Sequence, residues 1–146
     1  MTKDEIDAYS YQTAQKSLIG KNSTSLIGNE AKKLGAEKAV IVTDENVYDV
    51  GLTESAEESL SEQGIDVMTW SRAEPEPTIS SMERCYEDVK DHDADVIVGI
   101  GGGSSMDTAK VVSAKHNNSE SVKDFVGTDQ IENPGIPTIL VPTTAG

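Results

Sequence analysis

Gly101, Gly102 and Gly103 stand between an apolar run, Val96-Ile97-Val98-Gly99-Ile100, and the segment Ser104-Ser105-Met106-Asp107-Thr108-Ala109-Lys110. That order of residue types is suited to holding an anion. Val96 to Ile100 is β-branched except at Gly99 and predicts a strand buried on both faces. Ser104 or Ser105 suits a helix cap. Asp107 follows Ser104 by three residues, near a capping-box spacing and in a first turn where the helix dipole favours a negative charge. Strand, bend and helix start together leave backbone N–H groups pointing outward without partners. Three glycines clear every Cβ from the approach, and the Ser104 hydroxyl adds a donor. A diphosphate is the expected guest. A plain tight turn is the alternative, but it needs one glycine or two, and any further glycine adds an entropic cost without packing.

Strands and helices must alternate to frame such a bend, and the chain is patterned that way. Residues 1–13 read as a polar tail or lead-in. Lys16 to Gly20 is a weak strand candidate, followed by a turn over Gly20 to Ser23. Ser23 or Thr24 then caps a helix whose inner face is Ile27, Ala31 and Leu34, closed by Gly35. Ala39 to Thr43 is a strong strand that delivers Asp44. Ser55 to Glu58 has the spacing of a capping box, with Leu52, Ala56 and Leu60 on one face and Gly64 as the stop. Ile65 to Trp70 alternates and predicts a peripheral strand.

Pro75 and Pro77 stiffen a loop over Ser71 to Thr78. Thr78 opens a helix with Met82, Cys85, Tyr86 and Val89 on its buried stripe, which makes Cys85 a small core residue. After the glycines, Met106, Ala109 and Val112 face inward. Asn117 to Gln130 is a polar connection with a helical turn at Val122 to Val126, and Ile136 to Pro142 is a last strand leading to Thr143 and Thr144. The expected fold is α/β, a doubly wound, mostly parallel sheet with helices on both faces, in one domain spanning residues 14–146. Ligands of such sheets gather at the carboxyl ends of the strands, where Thr43-Asp44, Glu76-Pro77-Thr78, Gly101 to Ser104 and Thr143-Thr144 converge.

Composition narrows the classes of function. The chain has 146 residues, 36% of them hydrophobic, enough for one core. No apolar run approaches the roughly 18 residues of a membrane span, and no export signal opens the sequence. Cys85 is the single cysteine, which suits a reducing cytoplasm. With 26 acidic against 12 basic residues, the net charge is −14. That charge repels nucleic acid and anionic membranes. It also suits a cytoplasm rich in salt, where the Debye length shrinks to roughly 3 Å at 1 M and self-repulsion fades.

The common dinucleotide fingerprint, Gly-x-Gly-x-x-Gly after a first strand, is not met: Gly99-x-Gly101-x-x-Ser104 comes late and lacks the third glycine. The chain instead resembles the iron-containing alcohol dehydrogenase family across most of its nucleotide-binding domain. Three stretches carry the likeness: Val42-Thr43-Asp44, Gly101-Gly102-Gly103-Ser104-x-x-Asp107-x-x-Lys110, and Pro142-Thr143-Thr144-Ala145-Gly146. Dehydroquinate synthases and glycerol-type dehydrogenases share the architecture but usually differ in the last motif.

The resemblance implies a Rossmann-like domain binding NAD, with Gly101, Gly102, Gly103 and Ser104 around the pyrophosphate. It places Asp44 by the adenosine ribose, where its charge disfavours the 2′-phosphate of NADP, and Thr143 and Thr144 along the cofactor cleft. Asp44 has a plainer reading as a helix cap, and Thr143 and Thr144 as a strand end. Asp107 and Lys110 read equally as a first-turn dipole partner and a solvated helix face. Glu76 replaces the asparagine often found before Pro-Thr, which speaks against a cofactor contact there.

In the family, hydride transfer between an alcohol and an aldehyde uses Fe2+ or Zn2+ held by an Asp and three His in a second, helical domain. That domain is absent from this sequence, which stops inside the third motif, so the resemblance implies a domain cut at its C-terminal end and inactive alone. A homo-oligomer is left open. His92 and His116 read as solvated surface residues. A non-catalytic nucleotide-binding module and a phosphoacceptor signalling domain are the other classes; the second needs an acidic residue ending a central strand, whereas glycines end this one.

Overall fold

Four apolar runs pair in parallel: β1 (Lys38–Val42), β2 (Asp66–Trp70), β3 (Val96–Gly101) and β4 (Thr138–Pro142), in the order β2-β1-β3-β4. The computed structural model describes residues 15–125 and 131–144. The expected lead-in at 1–13, Val126, Ala145 and Gly146 therefore lie outside the described residues. Between the strands run α1 (Ile27–Lys33), α2 (Glu45–Asp49), α3 (Glu54–Glu62), α4 (Ile79–Val89) and α5 (Gly103–His116). No helix among them is long and apolar enough to cross a membrane.

The alternation of β1 and β3 divides the core. Ala39, Ile41, Val96, Val98 and Ile100 pack with Ile27, Ala31, Ala56 and Leu60 of α1 and α3. Val40, Val42 and Ile97 face the other way, onto Cys85 and Val89 of α4 and Ala109 and Val112 of α5. Both central strands are thus covered on two sides, which is why they read as continuous apolar runs. Burial, and then the nearby Asp88, pushes the Cys85 thiol well above its ordinary range, so it is a neutral core group. Gly99 lies under α5, where an added Cβ would sit 2.8 Å from the Ala109 methyl. Its missing side chain lets the helix settle on the strand.

The winding sets the functional end of the sheet. From β1 the chain travels outward to β2 through α3 on one face. It then crosses back through α4 on the other face to β3, and on to β4 through α5. The direction reverses between β1 and β3, and a crevice at the carboxyl ends of such a pair is where open α/β sheets hold ligands.

Several local expectations are corrected. Lys16 to Gly20 is not a strand but an exposed lead into a 3₁₀ turn over Ser23–Leu26, with Ile19 96% exposed. Among the described residues it has no neighbouring strand to pair with. Neither Ser23 nor Thr24 caps α1, because that turn runs straight into the helix, and Leu34 is 51% exposed beyond the helix's close contact with α3. Thr53, not Ser55, is the N-cap of α3, and Leu52 is 49% exposed in the preceding turn. Met106 is only half-buried. The remaining stops stand: Gly35 and Gly64 take φ of +81° and +74° after their helices, and the Thr78 hydroxyl accepts from the Ser81 amide to cap α4.

Candidate functional site

At the reversal between β1 and β3, backbone and side chains tie the glycine bend from three directions. The Thr43 hydroxyl donates to the Ile100 carbonyl at 2.7 Å, and the Thr143 amide donates to the Gly101 carbonyl at 3.0 Å. The Ser105 hydroxyl reaches Asp44 Oδ2 at 3.4 Å. Thr43 also joins the end of β2, its amide donating to Trp70 and its carbonyl accepting from Ala73. The ends of all four strands are held together before the chain enters α5.

The three glycines are not equivalent. Gly101 has φ +145°, and a Cβ there would meet Ser105 Oγ at 2.7 Å and Asp44 Oδ2 at 3.3 Å, so the fold itself demands glycine. Gly102 is extended, with φ −81° and ψ −171°, a conformation open to any residue. Its added Cβ would make only ordinary contact, 3.6 Å from Thr144 Oγ1. Gly103 is exposed, and a Cβ on it would enter open space. Among the described residues, neither packing nor backbone conformation requires the second and third glycines.

Gly102 is the N-cap of α5 and has no side chain to cap with. The expected cap at Ser104 or Ser105 is therefore wrong: the bend at Gly101 starts the helix early and places both serines in the first turn. The first bond into the cap runs from the Met106 amide to the Gly102 carbonyl at 3.1 Å. Among the described residues, the amides of Gly103, Ser104 and Ser105 donate to nothing. They form the donor-rich, positive end of a 14-residue helix.

Asp44 does cap a helix: its Oδ1 accepts from the Val47 amide at 2.9 Å at the start of α2. Oδ2 turns toward Ser105 and the start of α5. Thr143 and Thr144 are exposed at the end of β4, Thr144 beside Gly102. Asp44, Gly101, Gly102, Gly103, Thr143 and Thr144 thus come together at one end of the sheet, with Ser104 in the adjoining helical turn. Glu76 is exposed in its loop. Asp107 lies beyond the first turn and pairs with Lys110 at 3.4 Å, both solvated, so neither joins the bend.

His116 is not the solvated residue expected. Its Nδ1 bonds the Val112 carbonyl at 2.9 Å, its ring stands edge-on to Tyr86 at 5.5 Å, and its buried Nε2 has no partner among the described residues. The end of α5 packs on α4 and encloses the ring. Among the described residues no three His, Cys, Asp or Glu side chains come together to hold a metal ion. The strand order also changes one comparison: β1 is central and is followed by Asp44, so a signalling-type carboxylate is not excluded by the glycines alone. What separates Asp44 from that role is its Oδ1, engaged as the cap of α2.

The sequence placed Thr43 at a strand end and Ser105 at a helix start, but it gave no sign of the partners their hydroxyls take. Each acts across a long separation, 57 and 61 residues, that no local spacing encodes.

Relatives share sequence and fold over most of this chain. The chain is 36% identical over 139 residues to the sulfoacetaldehyde reductase of Bilophila wadsworthia, covering 95% of this chain and 36% of that protein. It is 35% identical over 130 residues to the NAD-dependent methanol dehydrogenase of Bacillus methanolicus, covering 89% of this chain and 34% of that one. The alcohol dehydrogenase from Oenococcus oeni superposes with a TM-score of 0.88 at 33% identity, over 95% of this chain and 37% of that one. The chain spans about a third of the length of these relatives. The family model described as iron-containing alcohol dehydrogenase matches residues 14–146. By that match, which takes in nearly all of its length, the chain belongs to the iron-containing alcohol dehydrogenase family.

Proposed function

We propose that residues 14–146 are the NAD-binding domain of a metal-dependent alcohol dehydrogenase acting on a small-molecule alcohol or aldehyde. One observation carries this reading: Gly102 and Gly103, which the fold does not need, stand beside amides that donate to nothing. A pyrophosphate uses both features, since it needs close backbone approach and N–H donors at a helix start. In this reading the amides of Gly102, Gly103 and Ser104 hold the pyrophosphate over the bend shaped by Gly101. Asp44 faces the adenosine ribose, and Thr143 and Thr144 line the cleft. The bound nicotinamide supplies hydride chemistry. The chain's own part is to bind and orient that cofactor. The buried lone cysteine agrees with a reducing, cytoplasmic setting.

Isothermal titration of the protein with NAD, NADP and ADP tests the assignment. Saturable heat with NAD supports it. No heat with any of the three at millimolar concentration overturns it.

Asp44→Ser isolates the charge from the cap, because serine is an equally good N-cap and preserves the bond from the Val47 amide. A half-buried carboxylate near a phosphate dianion repels it by a screened one to two kcal/mol. The NAD-to-NADP affinity ratio is therefore expected to fall by about tenfold in Asp44→Ser. An unchanged ratio in the two titrations removes the ribose role.

The acidic surface supports a second proposal, adaptation to high salt. Helix α3 carries Glu54, Glu57, Glu58 and Glu62 with no basic residue of its own, and Glu62 stands at the unfavourable end of the dipole. Raising KCl from 0.1 M to 2 M screens these like-charge pairs and is expected to raise the thermal midpoint by about 4 °C. A midpoint indifferent to KCl in a calorimetric scan counts against the adaptation.

A further inference from the structure

Ser105 is fully buried, and a buried hydroxyl needs an acceptor. The acceptor it reaches is Asp44 Oδ2, 3.4 Å away on the loop after β1. The other oxygen of that carboxylate is taken by the Val47 amide at 2.9 Å. Asp44 is thus gripped at two points, one on α2 and one on α5. The space around this contact is closed on its third side by Gly101, where any Cβ would press on both Ser105 Oγ and Asp44 Oδ2. Asp44, Gly101 and Ser105 form one fitted unit beside the glycine bend.

We infer that Ser105 is a positioning residue: it fixes the carboxylate of Asp44 in the orientation that selects between dinucleotides with and without a 2′-phosphate. The inference rests on the dinucleotide-binding function proposed above. The Ser105 side chain is buried beneath the bend and turned toward Asp44. Its effect passes through the carboxylate alone. Without the hydroxyl, Asp44 keeps only its bond to Val47 and swings about it. The negative charge is then no longer held where a 2′-phosphate would lie.

Two readouts on Ser105→Ala test this. In the free protein, amide exchange at Val47 is expected to quicken about threefold, the weight of one loose hydrogen bond. The NAD-to-NADP affinity ratio is expected to fall by about the same factor, less than in Asp44→Ser, with the thermal midpoint lowered by no more than about 3 °C because only one loose hydrogen bond is lost. Ser105→Thr, which keeps the hydroxyl, is expected to retain the wild-type ratio. Wild-type exchange at Val47 in Ser105→Ala overturns the grip itself, with or without any nucleotide. A wild-type ratio in Ser105→Ala, alongside a lowered one in Asp44→Ser, overturns the positioning role and leaves the dinucleotide reading intact. A wild-type protein that binds neither dinucleotide overturns both.

Discussion

Gly103→Val is expected to fold as the wild type does and to lose at least about 100-fold in NAD affinity. Valine at this position meets no described atom, since a Cβ on Gly103 enters open space. The position is the first of α5, where the amide needs no intrahelical partner and a β-branched residue costs a few tenths of a kcal/mol at most. A stability change beyond about 0.5 kcal/mol is therefore not expected. A pyrophosphate, by contrast, must come within hydrogen-bonding distance of the amides beside this residue. A branched side chain holds it off and removes charge-assisted bonds of about 1.5–3 kcal/mol each. Losing even two of them exceeds the 2.7 kcal/mol of a hundredfold change. Calorimetric titration with NAD and a thermal melt on the same sample decide the matter. A variant that binds NAD like wild type shows that the glycines serve the turn alone.

Gly28→Ala has the opposite signature, a large loss of stability at a place remote from the crevice. Gly28 lies where α1 crosses α3, and a Cβ there would penetrate the Ser59 carbonyl oxygen. The crossing is further fixed by the Ser59 hydroxyl, which accepts from the Gly28 amide at 2.9 Å and donates to the Ser25 carbonyl at 2.7 Å. Relief requires the helices to part, which opens Ile27, Ala31, Ala56 and Leu60 and breaks both bonds. Overpacking of this kind costs about 3 kcal/mol or more, and the thermal midpoint should fall by roughly 10 °C. Adding Ser59→Ala should not rescue it, because the obstacle is backbone. A melt of Gly28→Ala within two degrees of wild type would show that the crossing yields cheaply.

The two glycines differ in how they can be read. Gly103 belongs to a run whose neighbours announce a strand before and a helix after, so its role follows from position in the chain. Gly28 stands alone inside a helical pattern, where a glycine reads only as a weak spot. Its reason lies on another helix 31 residues away. Leu34 and Leu52 went astray for a related cause: the 3.6-residue period names a face, but how far that face is covered depends on the reach of the neighbouring helix. The end of α5 shows the reverse. His116 lay in a polar stretch, and only the approach of Tyr86 from α4 encloses its ring.

The four paired strands, the glycine bend, and the meeting of Asp44, the glycines, Thr143 and Thr144 at the carboxyl ends were legible from residue types alone. These features come from local physics: β-branched runs extend, glycines turn, and alternation forces a parallel sheet. The family likeness was legible for the same reason, since its motifs are short and contiguous. The strand order β2-β1-β3-β4 was decided only by packing, and with it the reversal that brings Asp44 against the start of α5. Packing also decided which glycine the backbone requires, because the need for Gly101 arises from Ser105 and Asp44 pressing on one point. Contacts between residues 57 and 61 positions apart depend on where whole elements settle, and no local pattern in the chain records that.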